Sequence, residues 1–499
     1  MHAHSLLWFA GAVLAVTLLY RKLSGAVWIA GLAALMYLCD EANYYPVLWI
    51  ANRNELIAVT FGVWAIYCHH QWRSVGAKKY LVGSTVLFLL SLLATEAGIA
   101  VFAYLIAYAF CLDGDPWRQR WKSLMPAFAI LVLWHLVYNG LGHGVESCGA
   151  IIDPVHTPLA FARVAITRAP LLLMGAFGLA QPDFYLIFNP TLKRIIVIAS
   201  SAGLVVIGLL LIPVLRKDRT ARFYGMGMFL SVWPICVTMP STRNLMFVAI
   251  GGFGLVAHLL AFLAHRDRRS SPARFWRGVM WVLVVSLLLI HIPVALGTRL
   301  FQPKMTKIMI DLLVPDIPLD DNASGISDKR VIVVNAPNPF GMTYLPLIRQ
   351  HQGKPLPLSI HTLAPSFAPL DIERPDIYTL VIRARAKNLF TCAHQSPFAH
   401  LNMFQTINRI WNADWDHIEQ GQTKRLSHLS IQVRQVDELG IPLEVAFIFD
   451  RPLDDDVLVW ITYDYQESRY RPFCIPGIGE TRLLAGTNPS QTSNETYMH

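Results

Sequence analysis

The chain is short of charge. Asp, Glu, Lys and Arg make up 15% of its 499 residues, against roughly 25% in an ordinary soluble domain, while 54% are hydrophobic and the mean hydropathy is +0.42. That deficit excludes a conventional water-soluble enzyme as a description of the whole chain. Cysteine is sparse too. The seven are scattered, with no CxxC pair and no zinc-ligand spacing, which excludes a disulfide-stapled or zinc-finger scaffold. Cys39, Cys68, Cys111 and Cys236 fall in or beside apolar segments, where a thiol behaves as a small hydrophobe. No internal repeat is present. The first apolar run lacks a basic residue before it and has Arg21-Lys22 after it, the reverse of a secretory signal. It reads as a retained helix with its N-terminus outside, and so unusual a start leads us to expect a helix upstream of Met1.

What is present is a series of ten apolar stretches between residues 5 and 297. Their approximate limits are 5–20, 26–40, 56–70, 80–95, 97–112, 123–139, 194–215, 222–239, 243–265 and 276–297. Lys and Arg fall mostly in every second gap. The gaps 21–24, 69–79, 113–122, 216–222 and 264–277 hold 17, whereas the alternate gaps hold only Arg53, Arg163, Arg168, Lys193, Arg194 and Arg243. Basic loops stay on the cytoplasmic side of a bilayer, so the alternation predicts a multi-pass inner (plasma) membrane protein of about ten transmembrane helices. It also explains the net charge of +9 without nucleic acid. The run 79–112 is too long for one crossing and is expected to fold back near Thr95-Glu96. Tyr44, Tyr45, Pro46 and Trp49 predict a short helix in the outer interface, and 158–180 an interfacial or re-entrant one.

Beyond residue 297 charges, prolines and alternating β-branched segments replace the apolar runs. We expect three parts: a membrane domain over 1–299, a β-rich, sandwich-like domain over 300–484 on the exterior or periplasmic side, and a disordered Ser, Thr, Asn and Gln-rich tail over 485–499. Strands are predicted at 331–335, 378–383, 429–436, 443–449 and 457–463. Cys392 and Cys474 lie outside the cytoplasm in this topology and are candidates for a disulfide. Trp411, Trp415 and Trp460 are candidates for sugar stacking, with burial in the core the commoner fate of such rings.

Ionisable residues gather at the predicted outer face: Asp40-Glu41, Arg53, Glu55, Glu96 and Arg243. Charge is costly in a bilayer, about 2.5–3.5 kcal/mol by insertion scales, so its concentration on one side invites a functional reading. Solvation at the interface is the plain alternative. His143, Glu146, Asp153 and His156 form a looser polar set without ligand spacing, and His135, His258 and His291 read as hydrogen-bonded packing residues within helices. Asn322-Ala323-Ser324 and Asn494-Glu495-Thr496 match the glycosylation acceptor pattern.

Val47-Leu48-Trp49-Ile50-Ala51-Asn52-Arg53-Asn54-Glu55-Leu56, Leu92-Leu93-Ala94-Thr95-Glu96 and Pro240-Ser241-Thr242-Arg243-Asn244-Leu245-Met246 resemble, in order and spacing, three segments of the GT-C membrane glycosyltransferases. The similarity spans roughly residues 4–265, and the nearest group is that of the tetratricopeptide-linked O-mannosyltransferases and their bacterial relatives. The resemblance implies inverting transfer of a sugar from a polyprenyl-phosphate donor to a cell-envelope glycan or protein acceptor at the outer face. A carboxylate takes the acceptor hydroxyl's proton, and arginines bind the departing phosphate. On this reading Asp40 or Glu41 is the base, with Glu96 as an orienting carboxylate or a contact to a divalent cation such as Mg or Mn. Arg53, Arg243, Arg163 and Arg168 are the phosphate contacts. The chain departs from the pattern in having Thr95 where Lys is usual and in lacking the acidic first exterior loop, which the expected upstream helix would precede. A non-catalytic scaffold of the same fold, binding an envelope partner or glycan through its exterior domain, stays open. Polymerases, ligases and transporters fit less well: the large exterior segment is terminal, and no two related halves with broken helices are present.

Overall fold

The computed structural model describes residues 2–143, 151–186, 188, 190–264, 274–313, 317–319, 325–337, 339–366, 368–385, 389, 418–438, 440–467 and 469–486. The chain divides into two compact units, one built mainly of residues up to Gln302 and the other of residues from Pro303 onward.

The first unit is helical: α1 His2–Leu23, α2 Val27–Cys39, α3 Tyr44–Leu48, α4 Arg53–Val75, α5 Lys78–Ala94, α6 Ala100–Cys111, α7 Trp117–Gly140, α8 Pro158–Ala176, α9 Pro190–Lys217, α10 Arg219–Ile235, α11 Met246–Ala264, α12 Arg274–Leu289 and the first part of α13 Ala295–Leu313, as far as Gln302. Each of the ten apolar runs forms a helix. Among the described residues six segments are long and apolar enough to cross a membrane: His2–Leu23, Trp117–Gly140, Pro158–Ala176, Pro190–Lys217, Thr242–Ala264 and Arg274–Lys304. The others fall short on length or mean hydropathy. At 13 and 12 residues, α2 and α6 extend only about 20 and 18 Å at 1.5 Å per residue, against a hydrocarbon core of about 30 Å.

At the centre stands α11, buried on all sides, as its uninterrupted apolar composition requires. Glycines let α10 approach it closely. A Cβ on Gly251 would lie 2.5 Å from the Tyr224 carbonyl oxygen, and one on Gly254 would strike the Tyr224 ring. Tyr20 and Tyr104 then donate their hydroxyls to Ile250 O at 2.6 Å and Phe247 O at 2.7 Å on the same helix. The run 79–112 does bend where expected: α5 ends at Ala94, Thr95 is extended, and a 3-10 turn Glu96–Ile99 leads into α6. The predicted short aromatic helix is α3.

Both flanks of α8 reach the same end of the unit. Ile152 N donates to Val237 O before it, while after it Gly178 abuts Ile290 and His291, and Gln181 bonds Glu41. The last helix continues where an end was expected. A π-helical turn Ile290–Val294, centred on the missing N–H of Pro293, joins α12 to α13, which runs on to Leu313. The polar residues after 297 mark departure from an apolar medium, not the end of the helix.

The five basic turns converge, as far as they are described, at the opposite end. There Arg73 bonds Asp113 in paired fashion at 3.0 and 3.3 Å, and Arg219 donates to Cys111 O. Asp218 Oδ1 accepts from Thr220 N and Ala221 N at the start of α10, its Oδ2 lies 2.6 Å from His258 Nδ1, and His258 Nε2 lies 3.0 Å from Ser24 Oγ. His258 is thus the bonded packing residue expected.

In the second unit α14, Pro339–His351, accompanies β1 Arg330–Asn335, β2 Ser359–Ala364, β3 Leu370–Glu373, β4 Thr379–Ala384, β5 Thr423–Arg425, β6 Leu429–Val436, β7 Pro442–Phe449, β8 Leu458–Asp464, β9 Arg469–Pro472 and β10 Thr481–Leu484. One sheet has the order β2-β1-β8-β9, the other β10-β3-β4-β7-β6-β5. The inner faces share a core of Ile332, Val334, Leu363, Ile382, Phe447 and Trp460. This is not a plain antiparallel sandwich. β1 pairs in parallel with β2 and β8, and the first sheet's outer face is covered by Met342 and Leu345 of α14. A strand buried on both faces reads as a continuous apolar run, as Val331-Ile332-Val333-Val334 does. Pro346 inside α14 conceals that helix from the sequence.

Candidate functional site

At the end of the first unit away from the basic turns, a cavity of about 170 Å³ is lined by Asp40, Glu41, Gln181, Thr242, His291 and Thr298, among others. Asp40 ends α2 in extended conformation and starts the 3-10 turn Glu41–Asn43, its Oδ2 accepting from Ala42 N at 3.2 Å. Arg299 holds this chain reversal, its Nη2 donating to Leu38 O at 3.0 Å and Asp40 O at 2.8 Å, the favourable place for a cation at a helix C-terminus.

The remaining Asp40 oxygen, Oδ1, lies 3.0 Å from His291 Nδ1. A carboxylate oxygen accepts, so Nδ1 is the donor of this pair. His291 is 3% exposed, and its Nε2 has no partner among the described residues. Its position follows from local structure: the π-helical turn re-aims the side chain, and the Phe253 ring supports it edge-on at 4.7 Å. A buried imidazole with one nitrogen anchored by a carboxylate and the other without a partner among the described residues, beside a cavity, can serve as an oriented general base.

Glu41 Oε1 accepts from Gln302 at 3.1 Å and Oε2 from Gln181 at 3.3 Å. Burial raises its carboxyl above the usual range, with Asp40 and Asp183 adding to the rise and the two amide donors opposing it. Asp183 ties two turns together, accepting from Ser241 Oγ at 2.6 Å and Thr242 N at 3.0 Å.

Thr242 opens the 3-10 turn Thr242–Leu245, which carries Arg243. The Arg243 guanidinium lies 5.1 Å from the centre of the Trp49 ring and interacts electrostatically with buried Glu55, as does Glu96. Glu96 is exposed and accepts from Tyr138 Oη at 2.8 Å. Asp40, Glu41, Arg243, Glu55 and Glu96 therefore share one end of the unit, the first two in the cavity and the others beside it. The expected arginines divide. Arg53 sits on the α1 flank, bonding Ser5 Oγ and His4 Nδ1 at 2.9 Å each. Arg168 donates from Nη1 to Cys236 O, Val237 O and Thr238 O at the end of α10, so that nitrogen serves helix termination, not a phosphate. Arg163 is exposed on α8.

Sequence reasoning took His291 for packing and passed over Arg299, Gln302, Gln181 and Asp183. The available signal was His291-Ile292-Pro293 within an apolar run, where a proline frees backbone and permits a local bulge. Among the described residues no group of three His, Cys, Asp or Glu side chains is placed to hold a metal ion. Asp153 and His156 pair with each other at 2.5 Å, while Glu146 lies outside the described residues. Trp460 is a core residue, donating to Leu453 O at 3.0 Å; Trp411, Trp415, Asn322, Asn494, Cys148 and Cys392 lie outside the described residues. No protein-family model, curated protein or solved structure matches the chain.

Proposed function

We propose that the chain is an integral membrane glycosyltransferase of the GT-C type. It crosses the membrane about ten times, with the basic turns in the cytoplasm and the cavity at Asp40, Glu41 and His291 facing the exterior. The observation that carries this reading is the Asp40–His291 pair, which lines an acidic cavity at the unit's other pole and whose buried Nε2 has no partner among the described residues. In the proposed step Nε2 removes the proton of the acceptor hydroxyl as its oxygen bonds to the anomeric carbon. The bond from that carbon to the lipid phosphate oxygen breaks, and the phosphate leaves with its electron pair towards Arg243. Asp40 balances the imidazolium so formed. The cavity is smaller than the ~300 Å³ of a typical ligand pocket, so it takes the reacting end of the acceptor and not a whole glycan. The β-rich second unit lies outside the cell on this topology and binds acceptor glycan.

The test uses membrane vesicles containing the full chain, supplied with radiolabelled polyprenyl-phosphate hexose. Asp40→Asn and Arg243→Ala are each expected to abolish transfer at unchanged expression; unchanged products in both variants remove these assignments. A non-catalytic scaffold is the second reading, favoured by the commitment of both Asp40 oxygens within the fold. It predicts no transfer by the parent chain.

A further inference from the structure

The first unit contains a second, larger cavity of about 520 Å³ between α8, α9, α10 and α11, sharing no lining residue with the first. On α9 it is lined by Leu204, Val205, Ile207, Gly208, Leu211 and Leu215, of which Leu204, Gly208, Leu211 and Leu215 are spaced to face one way along the helix. Eleven residues separate the first from the last, about 16 Å at 1.5 Å per residue, which is half of a hydrocarbon core of about 30 Å. The cavity is one leaflet deep.

Its inner limit is the C-terminal part of α8, which contributes Leu173, with Phe177 just beyond it. Its outer limit is the basic end. One charged residue lines it, Arg222, exposed on the first turn of α10 with Arg216 exposed across the intervening turn. All other lining side chains are hydrocarbon, sulfur or glycine. The site therefore pairs a carbon-walled slot with a guanidinium at the depth of the headgroups, and a guanidinium binds phosphate oxygens in pairs. Gly208 keeps the slot open: a Cβ there would meet no atom within 4 Å.

We propose that this groove is a binding site for one anionic phospholipid of the leaflet at the basic end, with an acyl chain along α9 and the phosphate on Arg222. The proposal rests on the membrane reading alone and stands or falls independently of sugar transfer. Charge complementarity selects the occupant. A zwitterionic lipid gains less from Arg222 and Arg216, and another protein chain would set backbone polar groups against a wall that offers them no partner.

The full chain, purified in mixed phosphatidylglycerol and phosphatidylcholine micelles and progressively delipidated, is expected to retain one phosphatidylglycerol by native mass spectrometry. Arg222→Ala should weaken retention about tenfold, as loss of a charge-assisted bond does. Gly208→Leu should abolish it, and Gly208→Ala, which adds a methyl group in open space, should keep the fold and weaken retention. Unchanged melting and elution establish that these variants are folded. Equal retention of the two lipids, retention unaffected by both Arg222→Ala and Gly208→Leu, or a second copy of the chain released by Gly208→Leu would each overturn the proposal.

Discussion

His291 Nδ1 lies 3.0 Å from Asp40 Oδ1, although 251 positions separate the two residues. The bond ties the end of α2 to the π-helical turn, and Asp40 also satisfies Ala42 N. Asp40→Ala would strand both donors in a buried site, with an expected loss of about 1–3 kcal/mol. Asp40→Asn keeps an acceptor for one of them and should lose less. Thermal unfolding of the two variants in detergent checks the order.

Asp218 holds the other end. Burial raises its carboxyl, but the His258 interaction and the N–H groups of Thr220 and Ala221 outweigh that and keep it below the usual range. A carboxyl lowered by folding contributes stability that is full above its unfolded value, near ~3.9, and is lost as pH falls through the lower folded value. Asp218→Ala should cost about 0.5–2 kcal/mol near neutrality through the lost helix cap. Its melting temperature should also vary less with pH below ~4 than that of the parent.

The α10–α11 contact depends on bare backbone. Gly251→Ala places a methyl 2.5 Å from Tyr224 O, where only separation of the helices relieves the clash, so a loss of about 1–3 kcal/mol is expected. Gly278→Ala meets nothing within 4 Å and should be neutral or gain up to ~1 kcal/mol of helix propensity. Melting temperatures of both, measured side by side, separate packing from propensity.

Orientation is open to direct chemistry. Cys474 is a free, exposed thiol, and the distribution of basic turns predicts that it is outside. A membrane-impermeant maleimide should label it in intact cells. Protection until the membrane is permeabilised would reverse the topology, and with it the proposed site's access to the exterior.

The helices were legible because composition and charge alternation act over whole segments: each apolar run needs internal hydrogen bonding, and basic residues collect at one end. The turn at Thr95 and the short α3 were legible through Glu96 and Pro46 for the same local reason. Helix ends were less so, since Gln302, Lys304 and Lys307 signal a change of medium that α13 passes through. In the second unit β1 and β4 could be read from their β-branched residues, whereas α14 and the parallel pairing could not, because a proline-bearing amphipathic segment and the order of strands leave no local pattern. Of the candidate site, the acidic pair was visible and its partner was not. His291 stands in an apolar run far along the chain, and its meaning lies in the bulge that turns it towards Asp40.

The central claim is that His291 Nε2 carries the proton in a transfer reaction. His291→Asn retains an amide donor for Asp40 but removes Nε2, so it should fold like the parent. In the vesicle assay it should lose about 10²–10⁴-fold in rate. A folded His291→Asn variant that transfers sugar at the parent rate would contradict the account.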